Sequence, residues 1–227
     1  MTNTLHRFGT AESFFDDYIV IAIPAKGVKG RGDPMPALKR FLEIALEYGP
    51  VNLGDAMSGG AIRPTRHKRA VEHFFARPTR PDFNAVIAGI SKPTTYAAVF
   101  DDKDSAEAFV ARIKEEKLGL SINVSSSLEN GQGCCAKAGV PRHSIGYSLG
   151  FEGIPDNVPN RHVMMLSTMC GHGMIAQSFA KKMIDWVKEG RCTPDEAVAY
   201  LSRFCSCGIF NPSRAKRIID DARIKAF

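Results

Sequence analysis

Tyr18–Pro24 (YIVIAIP) constrains the fold of this chain more than any other stretch. It is a continuous run of β-branched and apolar residues with no polar alternation. A strand of that kind is covered on both faces, because opening either face to water would expose half of its apolar side chains. It demands a sheet with other elements packed around it. A glycine-rich loop, Lys26–Gly32, follows, and Asp33-Pro34 then opens a helix with an N-cap and a proline in its first turn. Leu38, Phe41, Leu42, Ala45 and Leu46 form the apolar stripe of that helix, and Gly49-Pro50 ends it.

Further strands are expected at Val51–Leu53, Asn84–Ile90, Thr95–Phe100 and Leu120–Val124. Between the last two, Asp104 and Glu107 have capping-box spacing, and Phe109, Val110 and Ile113 supply an inner helix face. The order β-α-β-β-β-α-β predicts an α/β (α+β) fold over residues 14–127, a two-layer sandwich of ferredoxin-like type. Past Ser127 the composition changes. Leu128–Asn160 is rich in Gly, Pro, Asn and Ser and reads as loop. Residues 128–227 as a whole read as a second, mostly helical half that bears the cysteines.

Within that half, His162–Leu166 reads as a buried strand, and Ile175, Phe179, Met183, Trp186 and Val187 recur at helical spacing. Cys170 then stands at a helix start, where unpaired N–H groups and the dipole favour a thiolate. Cys134 and Cys135 lie in a glycine-flanked segment. A helix opened by the capping box Thr193-Pro194-Asp195-Glu196 ends at Cys205-Ser206-Cys207-Gly208, and Asn211-Pro212 starts the last helix. Met1–Asp17 lacks the regions of a signal peptide, and no apolar run approaches the ~20 residues of a membrane span. A cytoplasmic protein with no membrane partner is expected, in which six cysteines serve metals or catalysis rather than disulfides.

The paired knuckles of structural zinc sites are absent, whereas Cys-x-Cys with a separate Cys-Cys pair suits a larger inorganic core. An iron–sulfur cluster of the 4Fe-4S type is the expected cofactor, with zinc as the alternative. Cys170, Cys205 and Cys207 are the expected ligands, and Cys135 the fourth. Adjacent side chains in an extended segment point oppositely, so Cys134 and Cys135 are not expected to ligate together. His172 and His143 are candidates for general acid–base work. Arg142 and Arg161 suit a substrate carboxylate, and Lys26 and Arg31 an anion held in their glycine-rich loop. That loop matches neither a Walker A sequence nor a dinucleotide fingerprint.

The net charge of +6 is concentrated in Arg63, Arg66, Lys68, Arg69, Arg77 and Arg80, opposed only by Glu72 before Asp82. This segment reads as a solvated helix face, with Val71, Phe74 and Phe75 turned inward, or as a recruiter of a small anionic substrate. No aromatic-rich RNA-binding signature or zinc-finger spacing accompanies it, so nucleic acid is not expected.

Met169-Cys170-Gly171-His172-Gly173 resembles the Met-Cys-Gly-His segment around a catalytic cysteine in the proline racemase and hydroxyproline epimerase family. The resemblance implies a thiol that removes or returns the α-proton of an amino acid without a cofactor. The second cysteine of that family, in a Cys-Gly-Thr context, has no counterpart here. The leading expectation from the residues is an iron–sulfur lyase, hydratase, desulfurase or reductase acting on a small anionic substrate. A reductase would need an electron donor, and a homo-oligomer is compatible with any of these. A metal-free thiol enzyme and a metal or cluster carrier are the alternatives.

Overall fold

The structure, a computed structural model, describes residues 5–25, 32–57, 59–62, 82–146 and 159–224. Lys26, Arg31 and the basic segment from Arg63 to Arg80 lie outside the described residues. Five strands form one antiparallel sheet: β1 (Tyr18–Pro24), β2 (Asn52–Asp55), β3 (Gly59–Gly60), β4 (Tyr96–Phe100) and β5 (Leu120–Ser125), in the order β3-β2-β4-β1-β5. Helix α1 (Met35–Glu47) connects β1 to β2, and α3 (Lys103–Glu116) connects β4 to β5. The four longer strands, β2-β4-β1-β5, have the split arrangement of a ferredoxin-like sandwich. The expected α+β class and its topology are therefore present.

β1 sits between β4 and β5, with Ile19 opposite Val99 on one side and Ser125 on the other. Its alternate residues feed two cores, as its unbroken apolar run requires. Tyr18, Val20 and Ala22 pack with Phe41, Leu42, Phe100 and Phe109 under α1 and α3. Ile19 and Ile21 join Ala97 and Val99 in a second core on the opposite face. That core is completed by α5 (Arg161–Ser167), α6 (Gln177–Lys188), α7 (Pro194–Ser202) and α8 (Pro212–Ile224). The C-terminal helices thus cover the sheet face that the sandwich alone would leave open.

Several local expectations are corrected. Asn84–Ile90 is not a strand: α2 (Phe83–Ala88) forms there, because the Asp82 carboxylate accepts from Ala85 N and caps it. His162–Leu166 is likewise helical. Asn160 caps α5 through His162 N, and every residue from His162 to Ser167 is buried, so no polar face betrays the helical period. The first part of the expected loop is α4 (Leu128–Ala138), capped by the Ser127 hydroxyl, which accepts from Asn130 N. The cap of α3 is Asp102, accepting from Ser105 N at 2.7 Å, rather than Asp104. Thr193 and Glu196 do make the expected capping box at α7.

Candidate metal centre

Two turns bring the C-terminal thiols together. The first lies between α5 and α6 and holds Cys170 and His172, with Gly171 (φ 76°) and Gly173 (φ 65°) in the left-handed region that only glycine enters cheaply. Cys170 is therefore not at a helix start, since α6 begins only at Gln177. The second turn follows α7 and holds Cys205 and Cys207. Cys205 N donates to Ser202 O at 3.0 Å, and Gly208, at φ 71°, carries the chain out of the turn.

The second turn is seated against glycines. A Cβ built on Gly208 would lie 2.5 Å from Gly60 Cα, and one on Gly54 would lie 3.0 Å from the Cys207 carbonyl oxygen. Backbone packs on backbone there, at the edge where β2 meets β3. Just beyond, the Asn52 amide donates to Phe210 O at 2.9 Å, holding the exit of the turn on the sheet. The sequence places Gly54 and Gly59-Gly60 far from the cysteines, and nothing in it signals this contact.

The donor atoms of Cys170, His172 and Cys207 all lie within 4.8 Å of one another. His172 Nδ1 is 3.4 Å from Cys207 Sγ, which is also 3.4 Å from Cys205 Sγ. All three cysteines are buried, and His172 is half-buried. This Cys-Cys-His group, with Cys205 against it, has the donors and the spacing to hold a metal ion. The buried His172 Nε2 meets no hydrogen-bond partner among the described residues.

Electrostatics within the group are tightly linked. The Cys205 and Cys207 side chains, then His172, hold the Cys170 pKa far below the usual thiol range. His172 is pushed up to about 10 by Cys170 and, next, by Cys207. Hydrogen bonding to Cys170 and Cys207, reinforced by burial, raises Cys205 well above its ordinary value. Without metal, these shifts favour a Cys170 thiolate facing an imidazolium, with the Cys205 thiol donating to it. The thiolate form of Cys170 is thus favoured by neighbouring donors rather than by a helix dipole.

The remaining candidates lie elsewhere. Cys135 is on α4, and with Arg142 and His143 it lines a groove of about 920 Å³ beside β5. It is not in the donor group. The helix that formed in place of a loop carries it to the α3 side of the fold, where its neighbour Cys134 is buried. Burial pushes Cys134 up to about 12, so at neutral pH it is a thiol, and it lies in the core on the far side of the sheet from the donor group. Arg142 and His143 are exposed, as is Arg161 at the first position of α5. His172, expected as an acid–base group, stands among the donors instead. No helix among the described residues is long and apolar enough to cross a membrane. No protein-family profile, curated protein or solved structure matches the chain.

Proposed function

We propose that this chain is a metalloprotein that holds one thiophilic dication, with zinc the best fit, through Cys170, His172, Cys205 and Cys207. The closeness of the donors carries the reading. A tetrahedral ion with Zn–S of about 2.3 Å and Zn–N of about 2.1 Å spaces its donors roughly 3.6–3.8 Å apart. The observed 3.4 Å contacts and the 4.8 Å limit bracket that spacing. A four-iron core instead gives each thiolate its own iron at its own corner, which spreads the sulfurs much more widely. Three thiolates and one imidazole are also a donor set of closed, structural zinc sites. With four protein donors the ion fastens the α5–α6 turn to the turn after α7, so its binding energy is folding energy for the helical layer.

Metal analysis of protein purified anaerobically, with zinc and iron both supplied, tests this. One zinc per chain, no acid-labile sulfide, and thiolate-to-metal absorption after cobalt substitution are expected. The bound zinc and the cobalt absorption should both be lost in Cys207→Ser. Several irons and sulfides per chain would sink the proposal and restore the iron–sulfur enzyme. The thiolate–imidazolium pair favours a second reading, metal-free thiol chemistry at Cys170. The full burial of Cys170 weighs against it, because a substrate reaches that sulfur only if the turn moves. Metal-free protein alkylated at Cys170 with loss of a turnover would support that reading.

A further inference from the structure

We propose that Arg7 positions the Cys170 turn and balances the charge of the thiol site, an inference that rests on the single-ion reading. The segment Leu5–Phe8 lies across this turn. His6 N donates to Gly171 O at 3.1 Å, and Phe8 N to Thr168 Oγ1 at 3.0 Å. Between them, Arg7 Nε donates to Met169 O at 3.1 Å, the carbonyl next to Cys170. The fit at Gly171 is close: a Cβ there would lie 2.8 Å from Leu5 Cα and 2.9 Å from His6 N.

The Arg7 side chain is itself buried and anchored. Its Nη1 donates to Ser125 O at 3.2 Å on β5, and its Nη2 pairs with Asp17. Asp17 is shared, because Arg214 Nη1 also lies 2.7 Å from its Oδ2. Asp16 is engaged by Arg217 at 2.6 Å. Two buried carboxylates, Asp16 and Asp17, thus answer three guanidiniums, Arg7, Arg214 and Arg217, which leaves positive charge over. Burial and then the nearby Arg214 act to pull a proton from Arg7, while Cys170 and then Asp16 act to keep it. The loaded site supplies the missing negative charge. Three thiolates and a neutral imidazole around a dication carry a net charge of −1, and a buried charge is costly unless an opposite one is buried with it.

Chelator competition for zinc, cobalt(II) and the cuprous ion, on the full chain and three variants, tests the inference. Arg7→Met should weaken zinc and cobalt about 10–100-fold, the usual range for a partner behind a ligand. The loss should be larger for the cuprous ion, which leaves the site at −2; a purely structural role would not separate the ions by charge. Arg7→Lys keeps the charge without the planar fork and should recover part of the loss. Arg214→Met removes the other partner of Asp17 and a contact to Phe8 O at 3.4 Å, but none to the Cys170 turn itself, so it should lower stability and weaken zinc less than Arg7→Met does. Equal affinities in Arg7→Met and wild type, or equal losses in Arg7→Met and Arg214→Met, would overturn the inference alone. A wild-type chain that takes up none of the ions overturns the single-ion reading as well. Should Arg7→Met not fold, Arg7→Lys decides by the spectrum of bound cobalt, which shifts if Arg7 holds the turn and is unchanged if it does not.

Discussion

On one face of the sheet, Phe109 meets Phe41 at 5.2 Å and Phe100 at 5.0 Å between ring centroids. Among the described residues the strands turn no aromatic ring to the other face, where the Phe179–Phe204 pair, 5.0 Å between centroids, joins α6 to the residues after α7. The sulfurs of Cys170, Cys205 and Cys207 lie in that core instead. The polar clamps of Asn52 and Asn211 bind this side, Asn211 donating to Asp16 O and Asp17 Oδ1 at 2.9 Å each. The aromatic face is held by dispersion and hydrophobic burial, which tolerate small shifts and require no partner from outside. The sulfur face is held by directional contacts that fix where donor atoms stand. The ferredoxin-like sandwich is therefore the platform, and the second layer is where the candidate metal donors stand.

The sharpest way to break that contrast is to damage each face separately. Phe109→Ala should cost about 3–5 kcal/mol, as for other buried phenylalanines. If its role is confined to its own face, the folded variant should still bind zinc as tightly as wild type. Urea unfolding and chelator competition together read this. A large loss of zinc affinity in a variant that remains folded would show that the two faces are not independent.

A smaller effect is expected from the glycine seat of the second turn, and the chain contains its own control. Gly208 and Gly190 share a φ of 71°, but a Cβ on Gly190 would meet nothing within 4 Å, whereas one on Gly208 would strike Gly60. The left-handed backbone costs an alanine roughly 1–2 kcal/mol at either position. Overpacking adds about 1–3 kcal/mol at Gly208 alone. Gly208→Ala should therefore be the more destabilising, and only it should weaken metal binding. Equal effects in urea melts would remove the docking of Gly208 on Gly60 from the account of the site.

Zinc itself should act on the sulfur face. Free zinc at 100 times its dissociation constant should add about 2.7 kcal/mol to stability, by mass action on the native state. The increment should vanish in Cys205→Ser and persist in Cys192→Ser, since Cys192 is half-buried and outside the donor group. Thermal melts at matched zinc concentrations check this. A full increment in Cys205→Ser would reduce the site to Cys170, His172 and Cys207.

The sandwich was legible in the sequence because its signals are local. β1 announces itself by an unbroken apolar run, α1 by its stripe, and α7 by a capping box whose two hydrogen bonds both form. The misread elements share one cause. Asn84–Ile90 and His162–Leu166 are short and apolar, and periodicity cannot separate a buried strand from a buried helix at that length. Their caps, Asp82 and Asn160, were the signal that would have decided. Of the four candidate donors, three could be named because a Cys-x-Cys pair and a cysteine beside a glycine stand out. Cys135 could be weighed only through its local context, and its position on α4 follows from tertiary structure. Arg7 and the Gly54, Gly60 and Gly208 contact have no local signature at all, because each acts on residues more than 140 positions away.

The smallest effect concerns the metal-free state, where the contrast becomes one of charge. The ordinary values are 9.0 for the Cys170 thiol and 6.5 for His172; the fold depresses the first and raises the second to about 10. Between pH 6.5 and 9.0 the folded pair holds one proton, on His172, and the unfolded pair also holds one, on Cys170. The pair therefore contributes no pH dependence there, because stability changes with pH only where the two states bind different numbers of protons. Below that window the unfolded state binds the extra proton, and stability from the depressed Cys170 is lost as pH falls. Above it the unfolded thiol ionises while His172 keeps its proton, and stability from the raised His172 is lost as pH rises toward 10. Solvent reaches His172, and screening trims the alkaline loss to about 1 kcal/mol or less. Urea unfolding of chelator-treated protein at pH 8 and pH 10 should show that loss on top of the one from the raised Cys134 and Cys205 thiols, and His172→Gln should make the decline smaller. An identical alkaline decline in His172→Gln would mean that the imidazolium is not paired with Cys170, and the sulfur face would then owe its geometry to packing alone.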